Sequence, residues 1–91
     1  MAAIVSTPVK IVNATGLHAR PAANVVNVAK QFQSDIKLMF KSIEANAKSV
    51  VSVMGLDVSL GDQIQIKADG PDAQAAIAAV TQIISSGCGE K

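Results

Sequence analysis

The sequence predicts an α+β fold: a four-stranded antiparallel sheet with three helices on one of its faces, in the order β-α-β-β-α-β-α. Three observations carry this. Several segments alternate apolar and polar residues, the mark of strands with one wet face. Two longer segments repeat apolar residues at helical spacing, giving each a single apolar stripe. The chain has 91 residues, which fits one domain running over its whole length, 1–91. Elements with one apolar side each are buried most economically in two layers, leaving the far sheet face in water.

Residues 9–13 read as the first strand, with Val9 and Ile11 on one side and Lys10 and Val12 on the other. Asn13-Ala14-Thr15-Gly16 is a turn. The spacing of Ala22, Val25, Val26, Ala29 and Phe32 predicts a helix over 19–32. Pro21 fits its first turn, where a missing N–H costs nothing. After Ser34-Asp35, the apolar Ile36, Leu38 and Phe40 alternate with Lys37, Met39 and Lys41 as a second strand. Ile43, Ala45 and Ala47 alternate with Glu44, Asn46 and Lys48 as a short third strand. Residues 49–54 fit strand or helix by periodicity alone; Ser49 as N-cap and Gly55 as stop select a short helix. Gly61-Asp62 is a turn, and Ile64, Ile66 and Ala68 alternate with Gln63, Gln65 and Lys67 as the fourth strand. Pro71 and Asp72 are predicted in the first turn of the last helix. Its stripe is Ala73, Ala76, Ile77, Val80, Ile83 and Ile84, and Ser85-Ser86-Gly87 ends it.

Composition removes several function classes. Hydrophobic residues at 49% against 16% charged exclude a disordered chain. A net charge of +1 gives no electrostatic case for nucleic acid. Phe32 and Phe40 are the only aromatic residues, too few for a base-stacking platform. No apolar run approaches the roughly 18 residues of a membrane span, so no direct membrane insertion is expected. The single Cys88 cannot form an internal disulfide, and the start carries no signal-peptide pattern. Both point to the reducing cytoplasm. Cys88, between Gly87 and Gly89, reads as an incidental tail thiol.

The chemistry concentrates in one place. The only His and the only Arg are His18 and Arg20, two residues apart at the start of the first predicted helix. Helix N-terminal N–H groups lack intrahelical partners, and the dipole there favours an anion. Gly16 admits a positive φ or a close neighbour. An imidazole nucleophile, unpaired N–H groups and a guanidinium fork together suit a phosphoryl group. Read alone, the pair fits better a surface histidine capping a turn, with Arg20 solvated. One His without nearby Cys or carboxylate cannot build a closed metal site, and nothing aims a serine at His18.

The segment Asn13-Ala14-Thr15-Gly16-Leu17-His18-Ala19-Arg20-Pro21-Ala22 resembles the active-site motif of the HPr family. These are the histidine-containing phosphocarriers of the bacterial phosphoenolpyruvate-dependent sugar phosphotransferase system. The core Gly16-Leu17-His18-Ala19-Arg20-Pro21-Ala22 is unbroken. Asn46-Ala47-Lys48-Ser49, Leu60-Gly61, Gly70 and the Ala-rich last helix also resemble the family, so the similarity extends along the chain. The family fold is an open-faced β-sandwich of the element order given above.

The resemblance implies that His18 accepts a phosphoryl group on its δ1 nitrogen from enzyme I and passes it to enzyme IIA components. Arg20 matches the catalytic arginine. Thr15, Ala19 and Arg20 are the implied phosphoryl-binding positions. Ser49 matches a regulatory serine phosphorylated by HPr kinase/phosphorylase in many bacteria; this chain has Ser52 where the recognised pattern has Gly. Leu17, Val50, Val51, Met54 and Leu56 match the apolar patch that docks partners. A short helix bearing Val50, Val51, Val53 and Met54 cannot bury all four against one sheet face, and Val50 and Met54 are the expected exposed pair. No cofactor is implied. The chain is expected to carry the group rather than act as an enzyme, as a monomer with transient partners. The alternatives are the nitrogen-type paralogue NPr and a regulatory adaptor acting through phosphorylated Ser49.

Overall fold

The one-sided elements pack as their patterns require. The computed structural model describes residues 3–89; the ends of the expected domain, 1–2 and 90–91, lie outside the described residues. The elements are β1 (Ile4–Val5), β2 (Val9–Lys10), α1 (Ala19–Ala29), β3 (Asp35–Phe40), β4 (Ile43–Asn46), α2 (Val50–Met54), β5 (Gln63–Asp69) and α3 (Ala73–Ser85). The sheet runs β1-β5-β3-β4 with β2 also on β5, and every pairing is antiparallel. Ile36, Leu38, Ile64, Ile66 and Ala68 join one core with the stripes of α1 and α3. Lys37, Met39, Gln65 and Lys67 stay half-exposed on the other face. There Lys67 lies opposite Lys37 and pairs with Glu44 at 3.5 Å. Among the described residues no helix is long and apolar enough to cross a membrane.

The first strand departs from expectation. Instead of one strand over 9–13, two two-residue strands share the flank of β5, so the sheet has five strands rather than four. Pro8 has no N–H to give the ladder. Ser6 bridges the gap: its N–H donates to the Ile66 carbonyl at 2.7 Å, and its hydroxyl accepts from the Ile66 N–H at 2.9 Å. Past Lys10 the backbone still pairs, with the Ile11 N–H donating to the Asp62 carbonyl at 2.8 Å. The alternation survives, because Val9 and Ile11 are buried while Lys10 and Val12 are exposed.

The helix ends also differ. α1 stops at Ala29, three residues before the predicted end. The chain tightens there into shorter-range bonds, from the Gln31 N–H to the Val28 carbonyl and from the Phe32 N–H to the Ala29 carbonyl. The Lys48 ammonium caps this end by donating to the Phe32 carbonyl at 2.7 Å. Pro71 and Asp72 precede α3 rather than open it, with Asp72 as N-cap. Its carboxylate crosses to the α1–β3 connection, accepting from the Gln33 and Ser34 N–H groups at 2.9 Å each and from the Ser34 hydroxyl at 2.5 Å. The Ser34 hydroxyl, then the Gln33 amide, hold the Asp72 carboxyl below the ordinary carboxylate range. Cys88 is no tail thiol: it is buried, and its carbonyl accepts from the Asn24 side chain at 2.8 Å. α2 matches expectation, capped by Ser49 and stopped at Gly55.

Candidate functional site: the head of the first helix

The site begins with the turn that feeds α1. Gly16 has φ +62°, and a Cβ there would stand 2.2 Å from the Val58 carbonyl oxygen. Both reasons for a glycine therefore apply at once. The Gly16 N–H donates to the Asn13 carbonyl at 3.2 Å, closing the turn. The buried Asn13 side chain donates through Nδ2 to the Gly16 carbonyl at 2.6 Å and to the Thr15 hydroxyl at 3.4 Å. The Leu17 N–H then donates to the Val58 carbonyl at 3.2 Å.

His18 follows as the N-cap of α1, with extended backbone and no side-chain cap bond. Its carbonyl accepts from the Ala22 N–H at 2.8 Å, the first bond of the helix. The imidazole is thus exposed and not spent on capping. Pro21, buried at the third helical position, has no N–H to leave unsatisfied. The N–H groups of Ala19 and Arg20 lie in the first turn, where helical geometry supplies no acceptor and the dipole is positive. Arg20 is exposed and forms no ion pair among the described residues. Imidazole, backbone donors and guanidinium therefore share one short exposed segment, a set suited to holding an anion.

Thr15 and Arg20 also line an open cleft of about 600 Å³ between the turn and the chain after α3, with Ser86 and Gly87 on its far side. His18 is outside that lining. Ser49 stands on a separate element, at the N-terminus of α2. Its hydroxyl accepts from the Ser52 N–H at 3.3 Å, and the Ser52 hydroxyl accepts from the Asn46 N–H at 2.9 Å. This resembles a capping box, with the return bond going to Asn46.

The expected docking residues divide. Leu17 and Leu56 are 2% and 4% exposed and belong to the core, so neither lies on an open patch. Leu17 turns inward after its N–H is held by Val58, and Leu56 is folded in by the turn from its N–H to the Val53 carbonyl. The exposed pair is Val51 and Met54, at 82% and 40%, rather than Val50 and Met54. Positions 51 and 54 share the outer face of α2, while Val50 packs against the core and Val53 within it. Sequence reasoning missed Asn13 as the organiser of the turn. An Asn opening a turn that closes on Gly three residues later was the available signal.

The family model for the phosphorylation site of the HPr component of the phosphotransferase system matches residues 5–86. The phosphocarrier protein HPr of Treponema pallidum (strain Nichols) is 37% identical over 78 residues, covering 86% of this chain and 89% of the relative. The crystal structure of HPr-C-His from Thermoanaerobacter tengcongensis superposes with a TM-score of 0.87 at 40% identity, covering 100% of this chain and 99% of that one. The catabolite repression protein Crh of Bacillus subtilis, described as a swapped dimer, gives a TM-score of 0.75 at 36% identity, covering 92% and 97%.

Proposed function

This chain belongs to the HPr family of phosphocarriers, and from that premise we propose that it carries a phosphoryl group on His18 between two larger proteins. The observation that carries the proposal is the state of that side chain: an exposed imidazole at a helix N-cap with no capping bond. The donor is phosphorylated enzyme I and the acceptors are sugar-specific enzyme IIA components, all meeting in the cytoplasm. The lone pair of His18 Nδ1 forms the new N–P bond as the bond from phosphorus to the donor breaks, and that electron pair leaves with the donor. The Ala19 and Arg20 N–H groups, the Arg20 guanidinium and the Thr15 hydroxyl hold the phosphoryl oxygens. The same groups release it in the reverse sense to the acceptor, so the chain carries the group without turning over a substrate. Val51 and Met54 provide the apolar contact for both partners.

Ser49 is the second phosphorylation site, read by HPr kinase/phosphorylase. A phosphate there adds negative charge to the surface that meets the donor and slows transfer. The chain works as a single-domain monomer, since a carrier must leave one partner to reach the next. A concentration-dependent dimer in sedimentation would overturn the monomer. The sugar branch is assigned on Asn46-Ala47-Lys48-Ser49 and Leu60-Gly61; faster charging by a nitrogen-type enzyme I would reverse that assignment.

The test is intact-mass analysis after mixing the protein with enzyme I, Mg²⁺ and phosphoenolpyruvate, beside a His18→Ala control. One acid-labile phosphoryl group, absent from the control, is expected. No transfer from either type of enzyme I would overturn the carrier role.

A further inference from the structure

We propose that Asn13 is a positioning residue for phosphoryl transfer: it sets the Gly16–Leu17 peptide plane, one residue ahead of His18, and so constrains where the imidazole stands. This rests on His18 being the acceptor. The Gly16–Leu17 peptide is held at both ends. Its carbonyl accepts from Asn13 Nδ2 at 2.6 Å, and its N–H donates to the Val58 carbonyl at 3.2 Å. His18 is the next residue, and its own carbonyl is held by the Ala22 N–H at 2.8 Å. The backbone is therefore anchored one residue before the histidine and again at the histidine's own carbonyl.

The side chain type matters. Asn13 is 6% exposed, and its amide donates to two acceptors, the Gly16 carbonyl and the Thr15 hydroxyl. One buried group thus ties the backbone that presents the nucleophile to a side chain proposed to touch the phosphoryl oxygens. A carboxylate of the same shape would face the Gly16 carbonyl with no proton to share, and an apolar residue would leave that carbonyl without its side-chain donor. In-line attack is sensitive to placement, because an error of roughly 1 Å costs about a hundredfold in rate.

The test compares Asn13→Leu with wild type in transfer from phosphorylated enzyme I, separating kcat from KM. The expected result is a fall of about ten- to a hundredfold in kcat with KM within about twofold, since Val51 and Met54 still dock. Asp72→Ala serves as the stability control, because it removes hydrogen bonds at the other end of α1 and leaves the site alone. It should lower the urea midpoint without changing kcat. An Asn13→Leu protein that is destabilised yet transfers at the wild-type kcat would overturn the proposal. Asn13→Asp, which keeps the shape and loses both donors, is read the same way if Asn13→Leu does not fold. Failure of wild type itself to accept on His18 would overturn the carrier role and this proposal together. Normal charging of wild type and both Asn13 variants would remove only the positioning role.

Discussion

Replacing Gly16 with Ala tests whether the turn is shaped by its φ angle or by what it packs against. Gly61 provides the comparison. Both glycines have positive φ, +62° and +91°, but a Cβ on Gly16 would meet the Val58 oxygen at 2.2 Å, while a Cβ on Gly61 meets nothing within 4 Å. The conformational strain common to both is about 1–2 kcal/mol. Gly16→Ala adds the displacement needed to bring that contact to ordinary range. Overpacking of this kind costs about 1–3 kcal/mol. It also strains the bond from the Leu17 N–H to the same Val58 oxygen, worth about 1 kcal/mol net. The excess of Gly16→Ala over Gly61→Ala should therefore be about 2–4 kcal/mol. A chain of this size has roughly 5–14 kcal/mol to lose, so both variants remain measurable by urea unfolding. Phosphoryl transfer should fall with Gly16→Ala and stay near wild type with Gly61→Ala. Equal stability losses for the two would refute the Val58 contact as the constraint and leave φ alone.

Other expectations follow from single features. Lys41 and Ser42 both have positive φ, 51° and 68°, in the two-residue turn between Phe40 and Ile43; Ser42→Gly should stabilise by about 0.5–1 kcal/mol in thermal or urea melts, and an unchanged midpoint would count against the strain. Ser49→Ala should cost about 1 kcal/mol through the lost cap on α2, read from the urea midpoint. Val51→Asp and Met54→Asp should raise KM for transfer while leaving the melting temperature near wild type; unchanged KM in both would remove α2 from the docking surface. Asp72 has a folded pKa below its ordinary value. Its contribution is fully present above the unfolded pKa and is lost as pH falls through the folded one, so wild type should lose stability on that acidic limb faster than Asp72→Asn. Parallel acid limbs would refute this.

The readable part of the molecule was the part governed by local rules. Ile64, Ile66 and Ala68 alternate on a strand buried on one face, so period two placed them correctly. Ser49 and Gly55 are cap residues acting within one turn, and both ends of α2 fell where they stand. The failures involve partners far away in the chain. β1 exists because Ile4 and Val5 find Ala68 and Lys67, more than sixty positions on, and nothing in a two-residue pattern announces that. Asp72 looked like a helix-opening acid because acids favour helix starts. Its carboxylate instead accepts from Gln33 and Ser34, nearly forty positions back, with Gly70 packed tightly against Ser34. Cys88 looked peripheral in a Gly-rich tail, yet the chain after α3 turns back onto α1 and buries it.

The site shows the same division within a few residues. The exposed place of His18 and Arg20 at a helix start was legible, because the turn and Pro21 that set that start lie within a few residues of them. Leu17 was not, because its place depends on Val58, forty or more positions away; Asn13 acts locally, on Thr15 and Gly16, and its turn signal was there to be read. Val58 is itself buried, so the oxygen that holds Leu17 and forbids a side chain at Gly16 belongs to the core. The exposed histidine thus stands one residue from a peptide anchored in the interior. Under the carrier role proposed for His18, that arrangement reconciles two demands: the imidazole must be open to large partners on both sides of the transfer, and it must return to the same position for each. Exposure is supplied by the uncapped side chain, and repeatability by the anchored backbone. Changes that loosen the Val58 anchor should therefore slow transfer to and from the chain alike, whereas changes on α2 can weaken one partner more than the other. Measuring both half-reactions for Gly16→Ala and Met54→Asp separates the two: a Gly16→Ala defect confined to one half-reaction would argue against a shared anchor.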